Sequence, residues 1–307
     1  MIDLTVNFAG LKLKNPVFTA SGTCGYADEL ADFMDVNQLG AFITKSITLH
    51  KRDGNSVPRI VETDSGMLNA IGLANIGVDR FIAEKIPLIE QYDTPFFVNI
   101  AGQTIEEYVS VAQKLAACRE IAGLELNISC PNVKKGGITF GTDPKLVSEI
   151  TSAIKKNAGK KILMVKLTPS VTNISEIASA AIEAGADALS MINTFTAMVI
   201  DIETRQAVLA NRTGGLSGPA IKPIAVYLTN KVYNEVAKPA NIPILAGGGI
   251  RNASDAIEFI IAGATAVSIG TASFIYPDSA IKIIDGLKKY CQRYKIAKIS
   301  ELTGSLK

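Results

Sequence analysis

The chain has 307 residues, with 31 Lys and Arg against 29 Asp and Glu, so its formal charge is only +2. Hydrophobic residues make up 48% and charged residues 20%, which excludes a disordered chain. So balanced a charge gives no field to hold a nucleic acid or an anionic membrane, and no apolar run reaches the ~18 residues of a membrane span.

The chain starts Met1-Ile2-Asp3-Leu4. This start lacks the basic residues and apolar stretch of a secretory signal, so a cytoplasmic protein is expected. Residues 4–8 and 11–14 flank Ala9-Gly10 and read as a short hairpin. Eight short apolar runs follow, at 17–21, 41–46, 96–100, 123–129, 162–167, 188–193, 242–247 and 266–270. They are continuous rather than alternating, as in strands of a parallel sheet covered by helices. Helical patterns lie between them. Thr104-Ile105-Glu106-Glu107 has the spacing of a capping box, with Ile105, Val109, Ala112 and Ala116 on one face. Asp143-Pro144 reads as an N-cap followed by Pro at the first helical position, with Leu146, Val147, Ile150 and Ile154 inward. Asn173 caps a helix ending at Gly185, and Asn252 caps one ending at Gly263. Longer helices are expected near 219–238 and 278–294.

Eight βα repeats predict a (β/α)8 TIM barrel, with the hairpin closing its bottom. No Gly/Ser/Pro-rich linker divides residues 1–307, so a single domain is expected. Three long loops, 47–76, 130–143 and 194–218, follow strands. They fall on the C-terminal face, where barrel active sites are built.

Rare residues narrow the chemistry. The one His, His50, leaves no two-His metal site. Cys24, Cys118, Cys130 and Cys291 are too far apart for a C-x-x-C motif, so no metal is expected. Polar residues recur where the strands end: Thr44-Lys45-Ser46, Asn99, Asn127, Lys166 and Asn193-Thr194. One buried Asn is ordinarily a satisfied core amide. The same feature at one end of five strands marks a site, because unpaired polar groups are costly there. Gly247-Gly248-Gly249 and Gly270-Thr271 follow the last two strands, where barrels hold phosphate on backbone N–H groups. Lys166 sits inside a strand and needs a negative partner or a depressed pKa. It suits a Schiff-base lysine, a phosphate ligand or a cation facing an electron-rich flavin. Cys130 lies just beyond a strand end among Ser129, Pro131 and Asn132, placed to face a substrate. The other three cysteines read as packing residues.

Asn127-Ile128-Ser129-Cys130-Pro131-Asn132-Val133, continuing through Lys134-Lys135-Gly136-Gly137 to Pro144, resembles the class 1 dihydroorotate dehydrogenases. Residues 66–75 look like their substrate loop. Asn193-Thr194, residues 213–219, Gly247 to Ile250 and Gly270-Thr271 match as well. The likeness covers essentially the whole chain. It implies an FMN-dependent barrel that oxidises dihydroorotate to orotate in pyrimidine synthesis. FMN phosphate would rest on Gly218, Gly248, Gly249, Gly270 and Thr271. Ser21, Lys45, Ser46, Asn99, Asn127, Lys166 and Ile192 would contact the rest of FMN. Substrate would meet Lys45, Asn69, Ala70, Ile71, Gly72, Leu73, Asn127, Asn132, Asn193 and Thr194. Cys130 would be the catalytic base.

The Lys-Lys-Gly-Gly run resembles the B subfamily. Its catalytic subunit pairs, as a homodimer within a heterotetramer, with a subunit carrying FAD and a two-iron two-sulfur cluster, and uses NAD+. The start at the barrel hairpin, together with Cys130, is unlike class 2 enzymes, which carry a membrane-binding extension and a Ser base. One departure is Phe195-Thr196-Ala197-Met198, where a Gly is expected before Met. The alternatives are the fumarate-linked A subfamily and a flavin-free barrel lyase or isomerase using Lys166.

Overall fold

The computed structural model describes residues 2–129 and 140–307. Eight parallel strands appear at the expected places: β1 Val17–Thr19, β2 Phe42–Ile43, β3 Phe96–Ile100, β4 Ile121–Asn127, β5 Ile162–Lys166, β6 Ala188–Met191, β7 Ile244–Gly247 and β8 Ala266–Ile269. They form one sheet in the order β1-β8-β7-β6-β5-β4-β3-β2. A parallel bridge between Phe18 and Ala41 joins β1 to β2 and closes the barrel. Thr19 Oγ1 reinforces the seam by accepting the Ile43 N–H at 2.8 Å. The fold is a (β/α)8 barrel.

Asn99, Asn127 and Lys166 lie within their strands, while β2 and β6 stop short of the polar residues expected at their ends. β2 shows why. Thr44 N–H and Ile47 N–H still donate to β3, to Phe97 O and Asn99 O. Between them Lys45 N–H turns away to Gly25 O at 2.8 Å. The chain leaves the ladder where Lys45 and Ser46 must reach the barrel mouth.

The hairpin forms from Val6–Phe8 and Leu11–Leu13, turning through Ala9 at φ 52° and Gly10 at φ 85°. Its Phe8 is fully buried, with its ring 5.3 Å from Phe18 and 6.3 Å from Phe97. The hairpin therefore plugs the bottom with aromatic surface.

The outer ring comprises α1 Asp28–Ala31, α2 Val78–Glu84, α3 Ile105–Ala116, α4 Pro144–Asn157, α5 Ile174–Glu183, α6 Lys222–Val232, α7 Ala253–Ala262 and α8 Ser279–Arg293. Among the described residues no helix is long and apolar enough to cross a membrane. On α3, Thr104 caps as expected, accepting the Glu107 N–H. The Glu107 carboxylate accepts from Gln103 N–H at 2.7 Å. The buried face is Tyr108, Val111, Ala112 and Leu115, not the face through Ile105, Val109 and Ala116. Tyr108 turns the helix this way. Its ring is buried and its hydroxyl donates to Asn127 O at 2.6 Å, so a residue with a polar tip belongs to the core.

Asn252 caps α7 directly after the Gly247-Gly248-Gly249 turn, its Oδ1 accepting from Asp255 N–H at 3.0 Å. Asn252→Ala should lower stability by about 1 kcal/mol, the usual cost of a lost cap, read from the urea midpoint at unchanged slope.

Two of the long segments are not loops throughout. Residues Ile60–Thr63, Gly66–Asn69, Phe195–Ala197 and Gly214–Ser217 build a four-stranded antiparallel sheet. Its members come from the connections after β2 and β6, so it stands over the mouth. These strands are short and two carry Gly, so no apolar run announces them. The departure at Phe195-Thr196-Ala197 lies on one of these strands, paired with Gly214–Ser217, rather than in a loop.

Candidate active site

A layer of polar side chains crosses the barrel just below its mouth. Ser46 Oγ, beyond β2, donates to Asn99 Oδ1 on β3 at 2.5 Å. Asn99 Nδ2 donates to Glu125 Oε2 on β4 at 2.5 Å. Ser190 Oγ on β6 donates to Glu125 Oε1 at 2.6 Å. Lys166 Nζ, at the end of β5, lies 3.5 Å from Glu125 Oε2. It also donates to Ser21 Oγ, beyond β1, at 2.9 Å. Strands β1 and β5 are four places apart in the sheet order, so Lys166 reaches across the barrel. The negative partner that a strand lysine needs is thus Glu125, itself only 1% exposed. The sequence reading missed Glu125 and Ser190. The signal for Glu125 was present: a charge two residues before Asn127 in an apolar run, hence on the same face of the strand.

A second arc runs around one side of the mouth. Ile192 follows a cis Met191–Ile192 peptide bond, and its N–H donates to Gly247 O at 3.2 Å. A Cβ on Gly248 would lie 3.5 Å from Ile192 Cγ1. A Cβ on Gly249, at φ 86°, would stand 2.7 Å from Gly218 O, so only glycine lets these two loops touch. Thr271 Oγ1 donates to Ser217 Oγ at 2.8 Å. A Cβ on Gly270 would meet Ala20, the neighbour of Ser21, at 3.3 Å. The arc therefore joins the polar floor at Ser21.

A third group adjoins the arc, through Asn193 next to Ile192 and Gly215 on the strand that ends at Ser217. Asn193 Nδ2 donates to Asn127 Oδ1 at 3.3 Å. Thr194 Oγ1 lies against Gly215, where any Cβ would overlap it. Asn69 Nδ2 donates to Gly215 O at 3.4 Å. The connection through residues 70–73 turns at Gly72 and Leu73, both at positive φ. Lys45 is half-buried, and among the described residues it has no carboxylate partner. Asn127, Asn193, Thr194 and Asn69 are drawn together from three separate segments. The sequence-predicted residues Cys130 and Asn132 lie outside the described residues.

The chain matches the family model for dihydroorotate dehydrogenase over residues 3–291. It is 52% identical over 304 residues to a Geotalea uraniireducens protein named dihydroorotate dehydrogenase B (NAD(+)), catalytic subunit, covering 99% of this chain and 98% of that one. An Alkaliphilus metalliredigens protein of the same name is 51% identical over 305 residues, covering 99% of each. The chain belongs to the dihydroorotate dehydrogenase family. The crystal structure of the Eimeria tenella dihydroorotate dehydrogenase in complex with ferulenol shares its fold, with a TM-score of 0.81 at 24% identity over 99% of this chain and 88% of that one.

In this dihydroorotate dehydrogenase chain the other three cysteines are buried. Burial pushes the Cys24 thiol up to about 11, and raises the Cys118 and Cys291 thiols as well. Thiols held protonated in this way are poor nucleophiles and poor bases.

Proposed function

We propose that this chain is the catalytic subunit of an NAD+-linked dihydroorotate dehydrogenase. Residues 1–307 act as one FMN-binding barrel domain that oxidises dihydroorotate to orotate in cytoplasmic pyrimidine synthesis. The observation that carries this is the polar floor of Ser21, Lys166, Asn99 and Ser46, flanked by the glycine arc and the Asn127–Asn193 wall.

The donor set fits FMN. Gly218, Gly248, Gly249, Gly270 and Thr271 would hold its phosphate on backbone N–H groups, beside a helix start. Ser21, Lys45, Ser46, Asn99, Asn127, Lys166 and Ile192 would meet the rest, with amides and hydroxyls that both donate and accept. When bound, FMN supplies the acceptor for a hydride.

Substrate is a flat ring of amides with one carboxylate. Lys45, without a carboxylate partner of its own among the described residues, neutralises that carboxylate. Asn69, Asn127, Asn132, Asn193 and Thr194 satisfy the amides, and Ala70, Ile71, Gly72 and Leu73 close over the ring. Cys130 takes the proton from C5 on the face away from the flavin.

The named relatives support a partner. This chain has no Gly-x-Gly-x-x-Gly dinucleotide fingerprint and no cysteine cluster for an iron–sulfur centre. A second subunit, carrying FAD and a two-iron two-sulfur cluster, passes the electrons to NAD+ in a heterotetramer centred on a homodimer of this chain. The purified chain should be yellow, and dihydroorotate should bleach it anaerobically. It should reduce NAD+ only when the second subunit is added. A chain that cannot be loaded with FMN overturns the reading. Robust NAD+ reduction by the chain alone overturns the partner, and rapid fumarate reduction supports the A-type acceptor instead.

A further inference from the structure

Glu125 has no role in the reading above, yet it is the most buried charge in the barrel mouth. Its carboxylate receives Asn99 Nδ2 at 2.5 Å and Ser190 Oγ at 2.6 Å, with Lys166 Nζ 3.5 Å away. Every one of these neighbours is a donor, and the carboxylate presents only acceptors to them. Three donors from three strands thus converge on one buried carboxylate. A buried ion pair rarely gains stability over apolar packing, so its retention calls for another reason.

We propose that Glu125 is a positioning residue for Lys166 and the counter-charge that sets the reduction potential of the bound flavin. The inference rests on the FMN reading above. Lys166 has two anchors, Glu125 on the neighbouring strand and Ser21 across the barrel. Together they hold the ammonium at one point of the floor. Glu125 also offsets its charge. An uncompensated cation facing the flavin would stabilise the negative charge that reduction brings. Stabilised too far, that charge would not leave easily for the next carrier. The carboxylate keeps the Lys166 charge offset and the flavin able to give its electrons up.

Glu125→Gln tests this. The Gln side chain has nearly the same shape. Its Oε1 can accept from Asn99, and the Ser190 hydroxyl can rotate to accept from its Nε2. Lys166 stays tied to Ser21. Only the negative charge is lost. The midpoint potential of the bound FMN, measured by anaerobic dye equilibration, should rise. The expected change is about tenfold or more in the two-electron reduction equilibrium, about 30 mV or more. Glu125→Asp keeps the charge and should restore a potential close to the wild-type value. Bleaching by dihydroorotate should remain at least as complete in Glu125→Gln, while electron delivery to the partner subunit slows.

A folded, FMN-loaded Glu125→Gln protein with the wild-type potential overturns the proposal. So does failure of both the Gln and the Asp variants to fold with FMN, since Glu125 then serves the fold alone. A wild-type chain that cannot bind FMN instead defeats the underlying functional reading, and the two failures are told apart by the wild-type spectrum.

Discussion

Cys130→Ala should keep its FMN and still bind orotate, yet reduce flavin about 10²-fold more slowly or worse, the usual scale of a lost general base. Oxidation removes a proton from C5 and a hydride from C6. Bound FMN would accept the hydride, but the proton needs a base on the opposite face. Cys24, Cys118 and Cys291 are buried and their thiols are raised, so they cannot serve. Cys130 follows directly on the strand-end segment that carries Asn127. An unperturbed thiol ionises near pH ~8.5, so at neutral pH only a few per cent is thiolate. Flavin reduction should therefore accelerate as pH rises and level off once the thiol is ionised. Cys130→Ser should retain a little activity, displaced to higher pH, because a hydroxyl gives up its proton less readily. Anaerobic stopped-flow bleaching across pH distinguishes the three forms. An Ala variant as fast as wild type means that the base lies elsewhere.

Lys166→Ala should weaken FMN retention, slow flavin reduction and destabilise the fold together. The first two effects follow from removing the cation that would face the proposed flavin. The third follows from Glu125. Its carboxylate is 1% exposed and would lose its only ion-pair partner among the described residues while keeping the Asn99 and Ser190 bonds. Removing one member of a buried pair typically costs about 3–5 kcal/mol, because the other charge stays behind without compensation. Lys166→Ala in combination with Glu125→Gln should recover much of that stability without recovering flavin reduction. Thermal unfolding and stopped-flow bleaching on the single and double variants check both statements. Wild-type reduction rates in Lys166→Ala would place the lysine away from the reacting ring.

Much of this molecule is written locally. Apolar runs of strand length with helical patterns between them, four of those helices with a readable N-cap, were enough to predict eight βα units. Phe96–Ile100 and the Asn252 cap appear as expected because each depends on a few neighbouring residues. The polar strand ends were legible for the same reason: Asn99, Asn127 and Lys166 stand out against apolar neighbours. Their partners were not. Lys166 and Glu125 lie on different strands, and whether their side chains meet depends on the barrel's stagger, which no local pattern records. The same limit hid the sheet over the mouth. Gly214–Ser217 has no strand propensity of its own, and it becomes a strand only because Gly66–Asn69 and Phe195–Ala197 arrive on either side of it. It likewise turned the face of α3, where Tyr108 is core because the Asn127 carbonyl waits for its hydroxyl. Local sequence decided what each segment becomes and which residues carry chemistry. Barrel closure decided which of those residues touch, because hydrogen bonds between distant strands exist only once register and curvature have brought their ends to one mouth.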